Sequence, residues 1–336
     1  MTHPDPSSVL DLIDAFRRSK VMFTAVRLGL FDHLREAPAG VAILAPALEV
    51  DAGALERLLD ACVSLGFLTK QIGLYANTAV AETYLCSVSP HSLTGYVLYS
   101  DQVLFKLWGD LESAIREGTH RWKQTFGLEG PIFDHFFQTP QSMRAFALGM
   151  HGFGLLSSSK VAAAFDLSGF QRVADLGGAT GHLTLAICER HSHIEGIVFD
   201  LPQVLEVTRE IVGKSPLAGR IQLIRGDFFA DPLPPADLYA LGRVLHDWPE
   251  EKIERLLARI FEQLPDGGGL LVAERLLAPD RSGPTTALLQ SLNMLLCTEG
   301  RERTIEEYRE LLEGAGFRKV EGRVTGAPLD AVLAIK

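Results

Sequence analysis

Asp175-Leu176-Gly177-Gly178-Ala179-Thr180-Gly181-His182 is the stretch on which the fold turns. Residues 171–175 before it read as a short strand, and residues 183–190 after it carry apolar side chains at helical spacing. A glycine-rich turn between strand and helix is where a dinucleotide site would stand, with the fingerprint G-x-G-x-x-G. Begun at Gly177, that fingerprint requires glycine at 179 and 182, where this chain has Ala179 and His182. The stretch fits D-x-G-x-[GA]-x-G instead, a turn whose glycines let the backbone pass close to a ligand.

Outward from this turn the chain alternates. Residues 195–200, 220–225, 237–245 and 269–274 read as strands, and 204–212 and 251–264 as helices. Such alternation predicts an α/β fold with a doubly wound, mostly parallel sheet, whose ligands sit at the carboxyl ends of the strands. Asp175, Asp200, Asp227, His246 and Glu274 stand at those ends, and five ionisable residues so placed point to a site. Asp200, 23 residues after Gly177, is spaced to accept hydrogen bonds from ribose hydroxyls. Asp247 with Glu250 reads as a capping box opening the next helix, and Thr304 with Glu307 as another. Asn293 lies in an apolar helical stretch, where its amide needs a partner, either substrate or a backbone carbonyl. Met294 and Met150 read as pocket or core filler, and His151, His182, His191 and His193 as ordinary polar residues.

The first half is helical and poor in chemistry. Residues 8–35, 41–48 and 52–65 read as helices, Asp51 as an N-cap, and 67–70 with 74–77 as a hairpin, which is a winged-helix pattern. The would-be recognition helix, 52–65, has one basic residue (Arg57) against Glu56 and Asp60, and is otherwise apolar, so it is built for subunit association rather than for DNA. Residues 91–122 and 132–151 are apolar helical stretches that bridge the halves. The expected division is 1–100, a winged-helix-like dimerisation domain; 101–160, a helical bridge; and 161–336, a catalytic domain.

Composition narrows the function. The formal charge of −10 over 336 residues leaves no basic run for a nucleic acid or an anionic membrane. Mean hydropathy is +0.13, which favours surface buried against a second subunit. Four scattered cysteines suit reduced thiols in the cytoplasm and form no metal framework. Met-Thr-His-Pro-Asp-Pro at the start has no signal-peptide pattern, and no apolar run is long enough to span a membrane.

Seven ordered segments carry a family resemblance: Ala164-Phe-Asp-Leu-Ser168, Asp175-Leu-Gly-Gly178, Val198-Phe-Asp-Leu-Pro202, Gly226 to Pro234, Arg243-Val-Leu-His-Asp-Trp248, Gln290 to Leu295, and Thr298-Glu-Gly-Arg-Glu-Arg303. On them the chain resembles the caffeic acid and acetylserotonin (hydroxyindole) O-methyltransferases, closely over 160–336 and in pattern before that. The resemblance implies a Rossmann-like class I methyltransferase domain, a winged-helix dimerisation domain, a homodimer, S-adenosyl-L-methionine as cofactor and a small aromatic hydroxyl acceptor. It makes His246 the general base, flanked by Glu274 and by Glu302 rather than Glu299. Gly177, Asp200, Leu201, Asp227, Phe228 and Arg243 fall at cofactor positions, Asn293, Met294 and Asp247 at substrate positions, and no metal is implied. The hydroxyindole branch commonly has a tryptophan where this chain has Gly154, so the pocket wall differs. Two other readings stand beside this one. One is a relative diverted to N- or C-methylation or to a non-methylating reaction, which the retained His–Glu–Glu set opposes. The other is a winged-helix regulator binding a small molecule.

Overall fold

Apolar spacing in the first 35 residues becomes helices α1 (Ser7–Arg27) and α2 (Leu30–His33). Helices α3 (Val41–Ala47) and α4 (Ala52–Ser64) follow, and Asp51 caps α4 as expected, accepting from the Ala54 N–H at 2.8 Å. Strands β1 (Leu68–Gln71) and β2 (Leu74–Asn77) pair antiparallel from Leu68↔Asn77 to Gln71↔Leu74, which leaves Ile72-Gly73 as the turn. Helices α5 (Ala79–Tyr84) and α6 (Thr94–Tyr99) complete this part. Its core is one cluster that includes Phe31, Leu44, Leu55, Leu59 and Tyr75. Asp101, almost fully buried, is neutralised by Lys20 and Arg27 of α1.

This computed structural model describes residues 3–336; Met1 and Thr2, which begin the stretch read for a targeting signal, lie outside the described residues. The chain divides into two compact units, the first ending at Val103 and the second spanning Leu104–Lys336. No helix among the described residues is long and apolar enough to cross a membrane.

The second unit begins with short helices, α7 (Phe105–Trp108), α8 (Leu111–Glu117), α9 (Trp122–Phe126) and α10 (Ile132–Phe136), before the long α11 (Pro140–Ala162). The two helical stretches expected here are therefore five. Thr139 starts α11, its hydroxyl accepting from Ser142 N–H at 3.0 Å with Pro140 at the first helical position.

Strands β3 (Arg172–Leu176), β4 (Glu195–Asp200), β5 (Ile221–Arg225), β6 (Leu238–Gly242) and β7 (Gly269–Glu274) are parallel, with helices α12 (His182–Arg190), α13 (Val204–Val212) and α14 (Glu250–Gln263) between them. The short β8 (Leu276–Leu277) pairs with β9 (Arg303–Thr304), separated by α15 (Thr285–Cys297). After α16 (Ile305–Gly314), strands β10 (Arg318–Arg323) and β11 (Asp330–Ile335) join antiparallel, a pair the sequence reading missed. The seven-stranded order is β10-β11-β7-β6-β3-β4-β5. The chain leaves β3 toward β4 and β5 and then returns to β6 on β3's other side. The switch point, where a crevice opens at the carboxyl ends, lies between β3 and β6. Helix α14 covers the sheet with Ile253, Leu256, Leu257 and Ile260, a spacing of one helical face. Each such side chain contributes about 1.5–3 kcal/mol on full burial.

Candidate active site

The glycine turn is bound to the end of the neighbouring strand. Past β3, Gly177 has φ 68°, and a Cβ there would stand 3.2 Å from Val244 and 3.3 Å from the Phe228 ring. Ala179 takes a left-handed φ of 47°, unfavourable for a residue with a Cβ. It is held there because its N–H donates to Asp200 Oδ2 at 2.8 Å and its carbonyl accepts from the Thr208 hydroxyl at 2.5 Å. Asp200 Oδ1 accepts from the Leu201 N–H at 2.7 Å. Burial pushes the Asp200 carboxyl up to about 6 against these two amides. The Gly226 N–H donates to the Asp200 carbonyl at 3.0 Å, which draws the Asp227 loop to the same strand end. Asp227 Oδ1 accepts from the Phe229 N–H at 2.8 Å, so it shapes its own turn. Gly177, Asp200, Leu201, Asp227 and Phe228 are thereby assembled around the crevice.

Asp175 departs from the expectation. It lies inside β3, fully buried, accepts from the Thr184 hydroxyl at 2.9 Å and is pushed up to about 7 by burial. It fastens α12 to the sheet and leaves four strand ends, not five, for the site. Arg243 follows β6 with φ 58° and reaches α11, its guanidinium 3.0 Å from Met150 Sδ and 4.9 Å from the Phe153 ring centre.

His246 sits in a single 3₁₀ turn, Leu245–Asp247, and is 3% exposed. Glu274, the last residue of β7, fixes that turn: Oε1 accepts from the N–H groups of Val244 (3.0 Å), Leu245 (3.0 Å) and His246 (3.4 Å). Glu302, just before β9, places Oε1 2.7 Å from His246 Nδ1, whereas Glu274 Oε2 stands 3.3 Å away and makes no hydrogen bond. Nδ1 carries one hydrogen at most, and the shorter contact assigns it to Glu302. Nε2 is then the nitrogen with a free lone pair; its neighbour Asp247 Oδ1 is 3.7 Å off, beyond hydrogen-bond reach. Burial pushes Glu302 up to about 8, and Glu274 and Asp247 to about 7; Arg243, Arg275 and Arg303 oppose the rise at Glu302. His246, Glu274 and Glu302 are also the one group of potential metal ligands among the described residues, and within it His246 and Glu302 share a direct hydrogen bond.

Two further expectations change. Asp247 does not cap α14: the N-cap is Pro249, with no side-chain bond, and Glu250 pairs instead with Arg301 and Arg303 at 3.0 Å. The Pro249 carbonyl instead accepts the first helical bonds, from Lys252 and Ile253, and Asp247 lies in the preceding turn beside His246. Asn293 has a partner the sequence reading did not consider: its Oδ1 accepts from the indole N–H of Trp108 at 2.9 Å. Met294 is buried beside it on α15, and Glu299 is a surface partner of Lys252, at 2.5 Å. The Thr304–Glu307 capping box forms as read. His191 and His193 lie away from the site, His193 bonding the carbonyls of Ser168 and Phe170 at 3.1 Å. His151 and His182, read as ordinary, both bond at the glycine turn. Trp108, Ser158 and Thr208 were missed altogether; of these, only Trp108, an indole inside an apolar helical stretch, gave any signal.

The O-methyltransferase domain family matches residues 108–318, and the O-methyltransferase dimerisation domain family residues 10–87. Acetylserotonin O-methyltransferase of Gallus gallus is 39% identical over 338 residues, covering 98% of this chain and 97% of its own. A Homo sapiens protein described as a probable bifunctional dTTP/UTP pyrophosphatase/methyltransferase is 41% identical over 336 residues; the match takes 99% of this chain but 54% of that one, so this chain spans about half its length. The crystal structure of human N-acetylserotonin methyltransferase in complex with SAM is similar with a TM-score of 0.94 and 38% identity, covering 100% of this chain and 99% of the other.

Proposed function

The chain belongs to the S-adenosylmethionine-dependent O-methyltransferase family, and from that membership we propose that its acceptor is a small aromatic hydroxyl, a phenol or hydroxyindole, deprotonated by His246. The observation that carries the reading is the buried Nδ1–Glu302 hydrogen bond, which leaves Nε2 as a base at the mouth of the sheet.

The crevice fits the donor. Gly177 leaves little room for a side chain, and Asp200 is a half-buried carboxylate whose hydrogen-bond partners among the described residues are two amides, with lone pairs to spare. When bound, S-adenosyl-L-methionine supplies an electrophilic methyl group. Asp200 would hold the ribose hydroxyls beside Leu201, Phe228 would pack on adenine, Asp227 would accept from its amino group, and Arg243 would close the edge. Asp247, Asn293 and Met294 would line the acceptor's side.

His246 Nε2 takes the hydroxyl proton, and the electron pair stays on the acceptor oxygen, which becomes the nucleophile. Glu302 accepts the Nδ1 hydrogen and so fixes the tautomer that leaves Nε2 free. Glu274 holds the backbone turn that aims the ring. Orientation and exclusion of water supply much of the rest.

The first unit supports a homodimer. It matches the dimerisation family, and Val9, Leu10, Leu12, Ile13 and Phe16 of α1 are exposed apolar side chains, Leu12 by 77%. Four unpaired, buried cysteines suit a cytoplasmic enzyme. Incubation with methyl-labelled S-adenosylmethionine and a panel of phenols, hydroxyindoles and aromatic amines tests the reading. O-methylated product is expected; methylation confined to nitrogen or carbon overturns it.

A further inference from the structure

Helix α11 and the glycine turn are joined by contacts that the His246 site does not require. His151 Nδ1 lies 2.8 Å from Thr180 Oγ1. Ser158 Oγ donates to the Gly154 carbonyl at 2.8 Å and lies 2.9 Å from His182 Nδ1. A hydroxyl has one hydrogen, and Gly154 receives it, so the His182 Nδ1–H is the donor to Ser158.

Gly154 is a socket for that ring. A Cβ at Gly154 would stand 2.4 Å from His182 Cε1, 2.4 Å from Nε2 and 2.6 Å from Cδ2, distances no real side chain tolerates. A glycine inside a 23-residue helix is otherwise unfavourable, because it gives up the most backbone freedom. The ring cannot easily swing aside. Ser158 latches one edge, and the next residue back, Gly181, has φ 77° with Val198 packed against it. His182 is half-buried, and desolvation holds it down to about 3, so the ring is an uncharged wedge.

The turn is thus gripped from two sides. On one, Asp200 and Thr208 hold Ala179. On the other, His151 holds Thr180, and the Gly154 socket holds His182. We propose that His182, seated on Gly154 and latched by Ser158, is a positioning residue that sets the glycine turn for the methyl donor. The inference rests on the reading of that turn as the S-adenosylmethionine site.

The test is calorimetric binding of S-adenosylhomocysteine, with separate KM values for donor and acceptor. Gly154→Ala forces the ring out of its seat and is expected to raise the donor-site Kd about tenfold or more. The acceptor KM should stay near that of the unmodified protein. Ser158→Ala adds no atom and should raise the same Kd about threefold by releasing the latch. In a His182→Ala background, Gly154→Ala should have no further effect, because the clash is gone. Unmodified protein that binds while Gly154→Ala binds equally well overturns the proposal, as do additive effects in the double variant or a change confined to the acceptor KM. Should Gly154→Ala fail to fold, Ser158→Ala and His182→Asn decide, and wild-type affinity in both overturns it. Failure of the unmodified protein to bind S-adenosylhomocysteine instead overturns the donor-site reading and the proposal with it.

Discussion

His246 Nδ1 and Glu302 Oε1 meet at 2.7 Å in a buried site, across 56 residues of chain. The contact sets which ring nitrogen is free, and so which atom can accept a proton. His246→Gln is expected to lower methyl transfer about 10²–10⁴-fold while leaving S-adenosylhomocysteine affinity intact. The loss should shrink at high pH or with a more acidic phenol, because a pre-ionised acceptor needs no base. Single-turnover rates and calorimetry check both halves.

Glu302 couples the site to stability. Its carboxyl rises from an ordinary 4.5 to about 8 in the folded chain, so folding favours the protonated form. Below pH 4.5 both states hold the proton, and the full stability is present. As pH rises from there through about 8, the unfolded chain sheds its proton first and folded stability is lost. Glu302→Gln keeps an oxygen acceptor for His246 and removes the titration. Its melting temperature should exceed that of the unmodified protein at pH 8 and converge with it near pH 4.5. A constant difference across that range would refute the assignment.

Asp200 has two duties. Asp200→Ala should weaken S-adenosylhomocysteine binding, since each hydrogen bond to a charged group contributes about 1.5–3 kcal/mol. It should also lower the melting temperature, because the amides of Ala179 and Leu201 lose their acceptor. Asp200→Asn retains an acceptor oxygen and should cost less on both counts. Titration calorimetry beside thermal unfolding separates the two.

The Trp108–Asn293 bond is structural in its oxygen. Trp108→Phe leaves a buried amide oxygen without its donor, at a cost of about 1–3 kcal/mol. Asn293→Leu in the Trp108→Phe background should recover part of that loss. Denaturant unfolding of the cycle measures the coupling, and additive losses would show the bond to be of no consequence.

The apolar face of α1 calls for a partner surface. Leu12→Glu with Phe16→Glu places two charges on it, at side chains 77% and 53% exposed. Light scattering at micromolar concentration should then report one chain where the unmodified protein reports two.

Local chemistry made the framework legible in the sequence. The glycine pattern 177–181, the alternation of short apolar runs with helical ones, the Asp51 cap and the Thr304–Glu307 box all depend on neighbours a few residues away, and each formed as read. Strand ends could be found because a strand's length limits where its last side chain falls. The last antiparallel pair, β10 and β11, escaped because the charged edge strand Arg318–Arg323 shows almost no alternation; only Val320 is buried in it.

What the sequence could not decide is which polar residues work for the site and which for the fold. Asp175 and Asp200 look alike as strand-end acids, yet one faces α12 and bonds Thr184 while the other faces the turn. Asp247 reads as a cap until Pro249 takes the cap position. Asn293 meets Trp108 from 185 residues away, and His182 needs the absence of a side chain at Gly154. These choices rest on long-range packing, in which the direction of one side chain is set by the space another leaves. Spacing along a chain carries no record of that space, and only the folded protein fixes it.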